Sequence, residues 1–485
     1  METLRHFLLR AEARRLYRDL LRTLRPLDGA TAAARARSRL AHAAWFWSRA
    51  GLALLASLRA WRHARSPRRR EGLRGRLECP LVLVAGNMGD GTSAAAWLAA
   101  RGVRACCPPL GPVSSCHDRA CELFYALKGG RVDYGEAHAA AHAHRRYGGV
   151  REAFHAGWSA EEPVVLVTHS QGATTARALL RLLHASAFEG HATSANWVRG
   201  VVCICAPFNG APLLTSPAFG GVPLPVLRTA ARDAPGPLSA RIAREGAAAA
   251  SELQQPVGRQ VVWLLITLGY IAEVLLGWCA CFRRVVWDWR LEQWALGLAD
   301  LPALLRSTHR LQCSGDTALL EITPTGAAYI NATSTMYEGV YYVSLPCQVT
   351  EGEHALPVPT CSPLHVILAA VGAWCAKQPS HRHSDGLLPT SSQMYPQDQP
   401  HMYVRELSPP LGTPPSPLRA EEEYAAQRHA VARALRDATW CHADPCALSH
   451  TEASLQPESR LLEYVLCVVV PAVCDAAHAR TVKSE

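Results

Sequence analysis

One serine and one group of histidines carry most of the chemistry that residue types alone reveal. Ser170 lies in Pro163–Leu180, PVVLVTHSQGATTARALL, where a β-branched run stops abruptly and an Ala/Leu pattern at helical spacing begins. A serine at such a strand–turn–helix junction is lifted above the sheet edge, as a nucleophile must be, with the positive end of the helix beside it. The usual G-x-S-x-G pattern has Thr168 in place of its first glycine, and a serine ahead of a helix also serves as a plain N-cap; on this stretch alone both readings stand. Upstream, CPLVLVAGNMGDG is an apolar strand running into a glycine-rich loop. In a serine hydrolase the backbone N–H groups of Asn87 and Gln171 would face the developing oxyanion, each worth about 3 kcal/mol. A phosphate-binding loop is the other reading, but no Walker lysine follows. His138, His142 and His144 fall within seven residues, with Asp118 upstream. Neutral imidazoles with a carboxylate suit zinc, while the plain alternative is a set of solvated surface histidines.

The elements that must position these groups need a sizeable core. The chain has 485 residues, is 49% hydrophobic and carries a net charge of +10, much of the excess falling in residues 1–76. Those arginines lack the aromatic interleaving of nucleic-acid-binding surfaces, which argues against such a partner. The 17 cysteines are odd in number and irregularly spaced, and point to buried thiols rather than a disulfide framework. Residues 1–76 read as a basic helical appendage. Leu4, Phe7, Leu8, Ala11, Leu16, Leu20 and Leu24 recur at helical spacing, and Pro26 and Gly29 end the run. No signal peptide is evident, and the Arg-rich, acid-poor composition suits an organelle presequence. The stretch also resembles the start of the LYR-motif family, through Leu16-Tyr17-Arg18, Leu20, Leu21 and Arg22. That resemblance implies a three-helix module binding acyl-carrier protein or iron–sulfur assembly partners.

The segment VSSCHDRACELFYALKGGRVDYGEAHAAAHAHRRYGG resembles a marker of the zinc-containing bacterial lipases of the Geobacillus and staphylococcal type, whose elbow reads A-H-S-Q-G. The resemblance extends over about residues 79–470 and implies an α/β-hydrolase fold, a mostly parallel sheet flanked by helices with a zinc-bearing insert and a lid. By position it makes Asp118, His138 and His144 zinc ligands and excludes His142. It assigns the fourth ligand to Glu292, in Leu291-Glu292-Gln293-Trp294-Ala295-Leu296. The zinc would be structural. Asp316-Thr317-Ala318 and Tyr341-Tyr342-Val343-Ser344 match further family runs, and Phe208 stands where the family has histidine. His383-Ser384-Asp385-Gly386 matches the family segment that carries the triad acid, hence Asp385. Of two later histidines, His442 and His450, the second has the family's spacing from Trp440 and is taken as the general base. Glu452 then falls at a calcium-ligand position, although its partner carboxylate is displaced and calcium is doubtful.

Residues 213–300 are expected to form the insert and lid. Within them 261–281 is long and apolar enough for a membrane span, but a span would divide the sheet, so a lid or interface helix is preferred. Residues 461–474 read as a packed C-terminal helix or strand carrying Pro471, and Asn331-Ala332-Thr333 is a glycosylation sequon. The resulting expectation is an appendage over 1–76 and a lipase-like domain over 77–485. Its reaction would be hydrolysis of lipid acyl esters such as acylglycerols at an interface. The alternatives are a phospholipase or acyltransferase on the same triad, or a non-catalytic lipase-like protein with an N-terminal acyl-carrier-protein-binding module. The N-terminus points to an organelle, the family habit to secretion.

Overall fold

The computed structural model describes residues 77, 79–87, 91–211, 290–305, 309–348, 382–409, 417–448, 450, 453–457 and 459–484. All fall within one unit of the chain, residues 70–355 with 372–485. The N-terminal helices, the apolar segment 261–281 and Glu452 lie outside the described residues.

Seven strands form one sheet in the order β2-β1-β5-β6-β7-β9-β8, every neighbouring pair parallel. They are β1 (Leu81–Val84), β2 (Ala105–Cys106), β5 (Val164–His169), β6 (Val198–Ile204), β7 (Tyr341–Leu345), β8 (His401–Tyr403) and β9 (Trp440–His442). The apolar runs of β1 and β5 are buried along their whole length, as a parallel sheet covered on both faces requires. Alternate residues divide between two cores. Leu81, Leu83, Val165, Val167, Val202 and Ile204 face one, Val82, Val84, Leu166, Val201 and Cys203 the other.

The first core holds α1 (Thr92–Ala99) and the C-terminal helix. The second holds α2 (Cys116–Lys128) and α4 (Gly172–His184), which pack together. Helix α2 starts where the Ser115 side chain accepts from the Asp118 N–H at 3.1 Å and stops at Gly129, with φ +86°. A separate antiparallel hairpin, β3 (Gly130–Asp133) and β4 (Tyr147–Arg151), encloses α3 (Glu136–His142). Helix α5 (Pro324–Thr333) opens with proline at its first position and a Thr323 cap.

The C-terminal helix runs through Arg460–Tyr464, a wider π turn at Val465–Val469, and Val470–Ser484. Pro471 follows that π turn, which re-satisfies backbone groups a proline would otherwise orphan. Leu461–Arg480 is long and apolar enough to cross a membrane, yet Leu461, Val465, Val469 and Val473 are fully enclosed against the sheet. It is a core helix, as the sequence suggested. Among the described residues the cysteines form no disulfide. The Asn331 sequon is closed off: its amide nitrogen donates to the Phe208 carbonyl and Asn209, and its oxygen accepts from Arg177 at 2.7 Å. In the folded protein that nitrogen is not available for glycan attachment.

Candidate active site

Ser170 follows β5, the middle strand of the early part of the sheet, and precedes α4. Its φ of +54° is the strained left-handed conformation that lifts a side chain out of a tight strand–helix turn. The turn closes only because the chain is small at two places. A Cβ on Gly172 would lie 2.0 Å from the Val84 carbonyl oxygen, and one on Gly86 would lie 2.7 Å from the Ser170 Cβ. Thr168, where the usual pattern has glycine, is the buried fifth residue of β5 and is accommodated there. The loop after β1 therefore lies against the serine, with Asn87 next to Gly86. Gln171 is the residue from which α4 starts, so its N–H belongs to the first turn, where backbone donors lack helical acceptors.

Asp385 and His450 come from distant loops and meet beside this turn. His450 Nδ1 donates to Asp385 Oδ2 at 2.7 Å, both groups being buried. Asp385 Oδ1 accepts from the N–H groups of Leu387 (2.9 Å) and Leu388 (2.7 Å), so the carboxylate is fixed by its own turn. The His450 backbone is held twice more: its N–H donates to the Asp385 carbonyl, and its carbonyl accepts from His169 Nε2, both at 2.9 Å. A carbonyl only accepts, so His169 carries its proton on Nε2. Burial and the neighbouring His450 push the His169 imidazole down to about 3, and it stays neutral. His169 thus ties the base loop to the residue preceding the nucleophile. His442 lies on β9 among Tyr395, His401 and Tyr403, away from this constellation.

A second constellation joins α2, α3 and the segment after 309. One ligand atom each from Asp118, His138, His144 and Asp316 lies within 4.8 Å of the others. The pairs His138–Asp118, His138–Asp316 and His144–Asp316 are 3.3 Å apart, and His144–Asp118 is 3.9 Å. Four ligands at zinc distances in a tetrahedron stand about 3.4 Å from one another. Asp118 Oδ1, His138 Nε2, His144 Nε2 and Asp316 Oδ2 are buried without a well-formed hydrogen bond, as atoms meant for a cation are. Their outer partners are in place. His144 Nδ1 donates to the Arg145 carbonyl at 2.9 Å, leaving Nε2 with its lone pair, and Gln293 donates to Asp118 Oδ2 at 2.7 Å. Burial, with Asp316 beside it, raises the Asp118 carboxyl above its usual range.

This arrangement corrects the expected ligand set. Glu292 is half exposed, and its Oε2 accepts from the Gly149 N–H at 2.8 Å, with Arg151 at 3.6 Å. It points to β4, and the fourth carboxylate of the cluster is Asp316. The Leu291–Leu296 run still serves the site, through Gln293 on Asp118 and through Trp294, whose ring lies edge-on to His144 at 5.2 Å. His142, which the family resemblance excluded, is not part of the four. Asp316 was visible as part of a matching motif, but only the fold shows what it faces.

Residues 79–196 match the family model "Lipase-like, C-terminal domain". A stretch of 67 residues is 52% identical to Lipase 1 of Staphylococcus aureus and, over the same length, 51% identical to a lipase of Staphylococcus epidermidis. These matches cover 14% of this chain and 10% of the relatives, so the chain aligns with only a tenth of their length. The similarity in three dimensions is wider. The lipase of Staphylococcus hyicus superposes with a TM-score of 0.54 at 18% identity, covering 87% of this chain and all of the other. EstA of Clostridium botulinum superposes with a TM-score of 0.55 at 20% identity, covering 83% and 89%. The chain therefore has the α/β fold of these proteins and, over residues 79–196, resembles lipases in sequence.

Proposed function

We propose that the chain is a serine ester hydrolase of the lipase type, cleaving acyl esters of glycerolipids. The observation that carries this reading is the strained Ser170 turn beside the buried Asp385–His450 pair. The resemblance of residues 79–196 to lipases supports the substrate class. In the proposed reaction, His450 takes the hydroxyl proton of Ser170 as the oxygen attacks the ester carbonyl. The N–H groups of Asn87 and Gln171 receive the oxyanion. Asp385 keeps the imidazole in one tautomer and stabilises its charged form. His450 then returns the proton to the departing alcohol, and water, deprotonated by the same base, releases the acid from Ser170. Asp118, His138, His144 and Asp316 would hold a structural zinc; when bound, the ion neutralises the two carboxylates and fastens α3 and the 310–321 segment to α2.

The test is hydrolysis of an emulsified long-chain triacylglycerol by the full chain. Ser170→Ala and His450→Ala should each lower kcat by about 10³-fold or more, while His442→Ala should retain most activity. A parent protein without activity on triacylglycerol, phospholipid and soluble esters alike would sink the reading. Activity on phospholipid alone would move the substrate class and leave the site intact.

A further inference from the structure

We propose that Arg119 is the positioning residue of the oxyanion hole, coupling the loop that carries Asn87 to the turn that carries Gln171; the inference rests on the hydrolase reading above. Arg119 is on α2 and almost wholly enclosed, with 1% of its surface exposed. Its guanidinium donates in three directions. Nη2 reaches the Ala85 carbonyl at 2.5 Å, Nη1 the Gly111 carbonyl at 2.8 Å, and Nε the Thr175 hydroxyl at 2.9 Å. Thr175 in turn donates its hydroxyl proton to the Gln171 carbonyl at 3.1 Å. Ala85 is two residues before Asn87, and between them Gly86 lies so near Ser170 that a Cβ there would fall 2.7 Å from the serine Cβ. The path Ala85–Arg119–Thr175–Gln171 therefore joins both proposed oxyanion donors through one planar group.

The acceptors explain why the residue is arginine. None of the three is a carboxylate; Glu122 and Glu321 favour the charge from nearby, while the guanidinium itself holds two backbone carbonyls and a hydroxyl. Only a rigid fork with donors on three sides meets all of them, which the single ammonium of lysine cannot do. Donors to an oxyanion act through preorganisation, and a loop free to drift by half an ångström loses much of the effect. Arg119 also follows Asp118 on the same helix, so anchoring of that helix at the metal cluster and anchoring of the oxyanion loop share one rigid element.

The experiment compares the parent with Arg119→Lys, Thr175→Val and Thr175→Ser in the full-length protein. The probes are p-nitrophenyl butyrate for kcat and KM, a fluorophosphonate to count reactive Ser170, and a trifluoromethyl ketone, whose adduct places an oxyanion in the hole. Arg119→Lys is expected to lower kcat per labelled serine about 10²-fold, with KM nearly unchanged and ketone affinity reduced in parallel. Thr175→Val is expected to lower kcat about fivefold, and Thr175→Ser to restore it, because only the serine keeps the relay. A folded Arg119→Lys protein with kcat and ketone affinity within threefold of the parent would overturn the proposal. Should that variant not fold, equal kcat in Thr175→Val and the parent would do the same. A parent that neither labels at Ser170 nor turns over the ester would instead overturn the underlying hydrolase reading.

Discussion

Asp316 and Glu292 show how much a ligand assignment depends on direction rather than type. Both are acids in segments that resemble the same family, yet Asp316 closes the cluster while Glu292 binds the Gly149 N–H. On the zinc reading, Asp316→Asn should therefore lower the zinc content of the purified protein, read as metal stoichiometry by emission spectrometry, whereas Glu292→Gln should keep it. Equal metal content in the two would contradict the arrangement. Glu122 makes a different residue-scale prediction. It is fully buried on α2, accepting from the Gly111 N–H at 2.7 Å and from the Tyr134 hydroxyl. Burial raises its carboxyl from 4.5 to about 7. Between those values the folded state holds a proton that the unfolded state has released, so the Glu122 contribution to stability falls as pH rises from about 4.5 to about 7. Glu122→Gln should flatten that part of the stability curve; an unchanged slope in denaturant titrations at pH 5, 6 and 7 would argue against it.

At the level of elements, the β5–α4 junction is where local geometry and function meet. The φ of +54° at Ser170 is held by packing: β1 and its loop press against the turn, leaving no room for a side chain at 172. Gly172→Ala should destabilise the protein by roughly 3 kcal/mol, because the clash is with backbone and cannot be relieved by a rotamer change. Chemical denaturation measures this, and a loss under 1 kcal/mol would mean that β1 and α4 pack less tightly than described. Helix α2 combines more tasks than its composition suggests. Asp118 faces His138, His144 and Asp316, Arg119 the Ala85 carbonyl in the loop after β1, and Leu123 and Phe124 the core. Consecutive residues on a helix point about 100° apart, which lets one element address three neighbours.

Across the whole molecule, the cluster of Asp118, His138, His144 and Asp316 joins α2 and α3 to the distant 310–321 segment, so on the zinc reading removal of the ion should loosen these segments together. Chelation is expected to lower the unfolding free energy by about 4 kcal/mol if free zinc stood near a thousand times its Kd, with recovery on adding zinc. A melting temperature unmoved by chelator, once metal is shown to be gone, would rule out a stabilising role. Much of this plan could be read from the chain alone. The strand–turn–helix at Ser170 has a local signature, because apolar run, turn residues and helical spacing are all short-range. His138 and His144 are neighbours in sequence, so their closeness was legible too, while Asp385 and His450 were expected only through a family resemblance, with His442 as the alternative base. What only the tertiary structure decided involves contacts between segments that no local pattern links. Asp316 replaced Glu292 because the choice depends on where two loops about 200 residues apart from α2 return. His450 was separated from His442 by which of them meets Asp385. Asn331 lost its reading as a glycan site because its amide is consumed in the interior. Arg119 showed no signal as one arginine among many, since its role exists only where β1, α2 and α4 converge. Sequence periodicity reports which face of an element is buried; it carries no information on which polar group will stand opposite, and that is settled by the folded chain satisfying its buried donors and acceptors together.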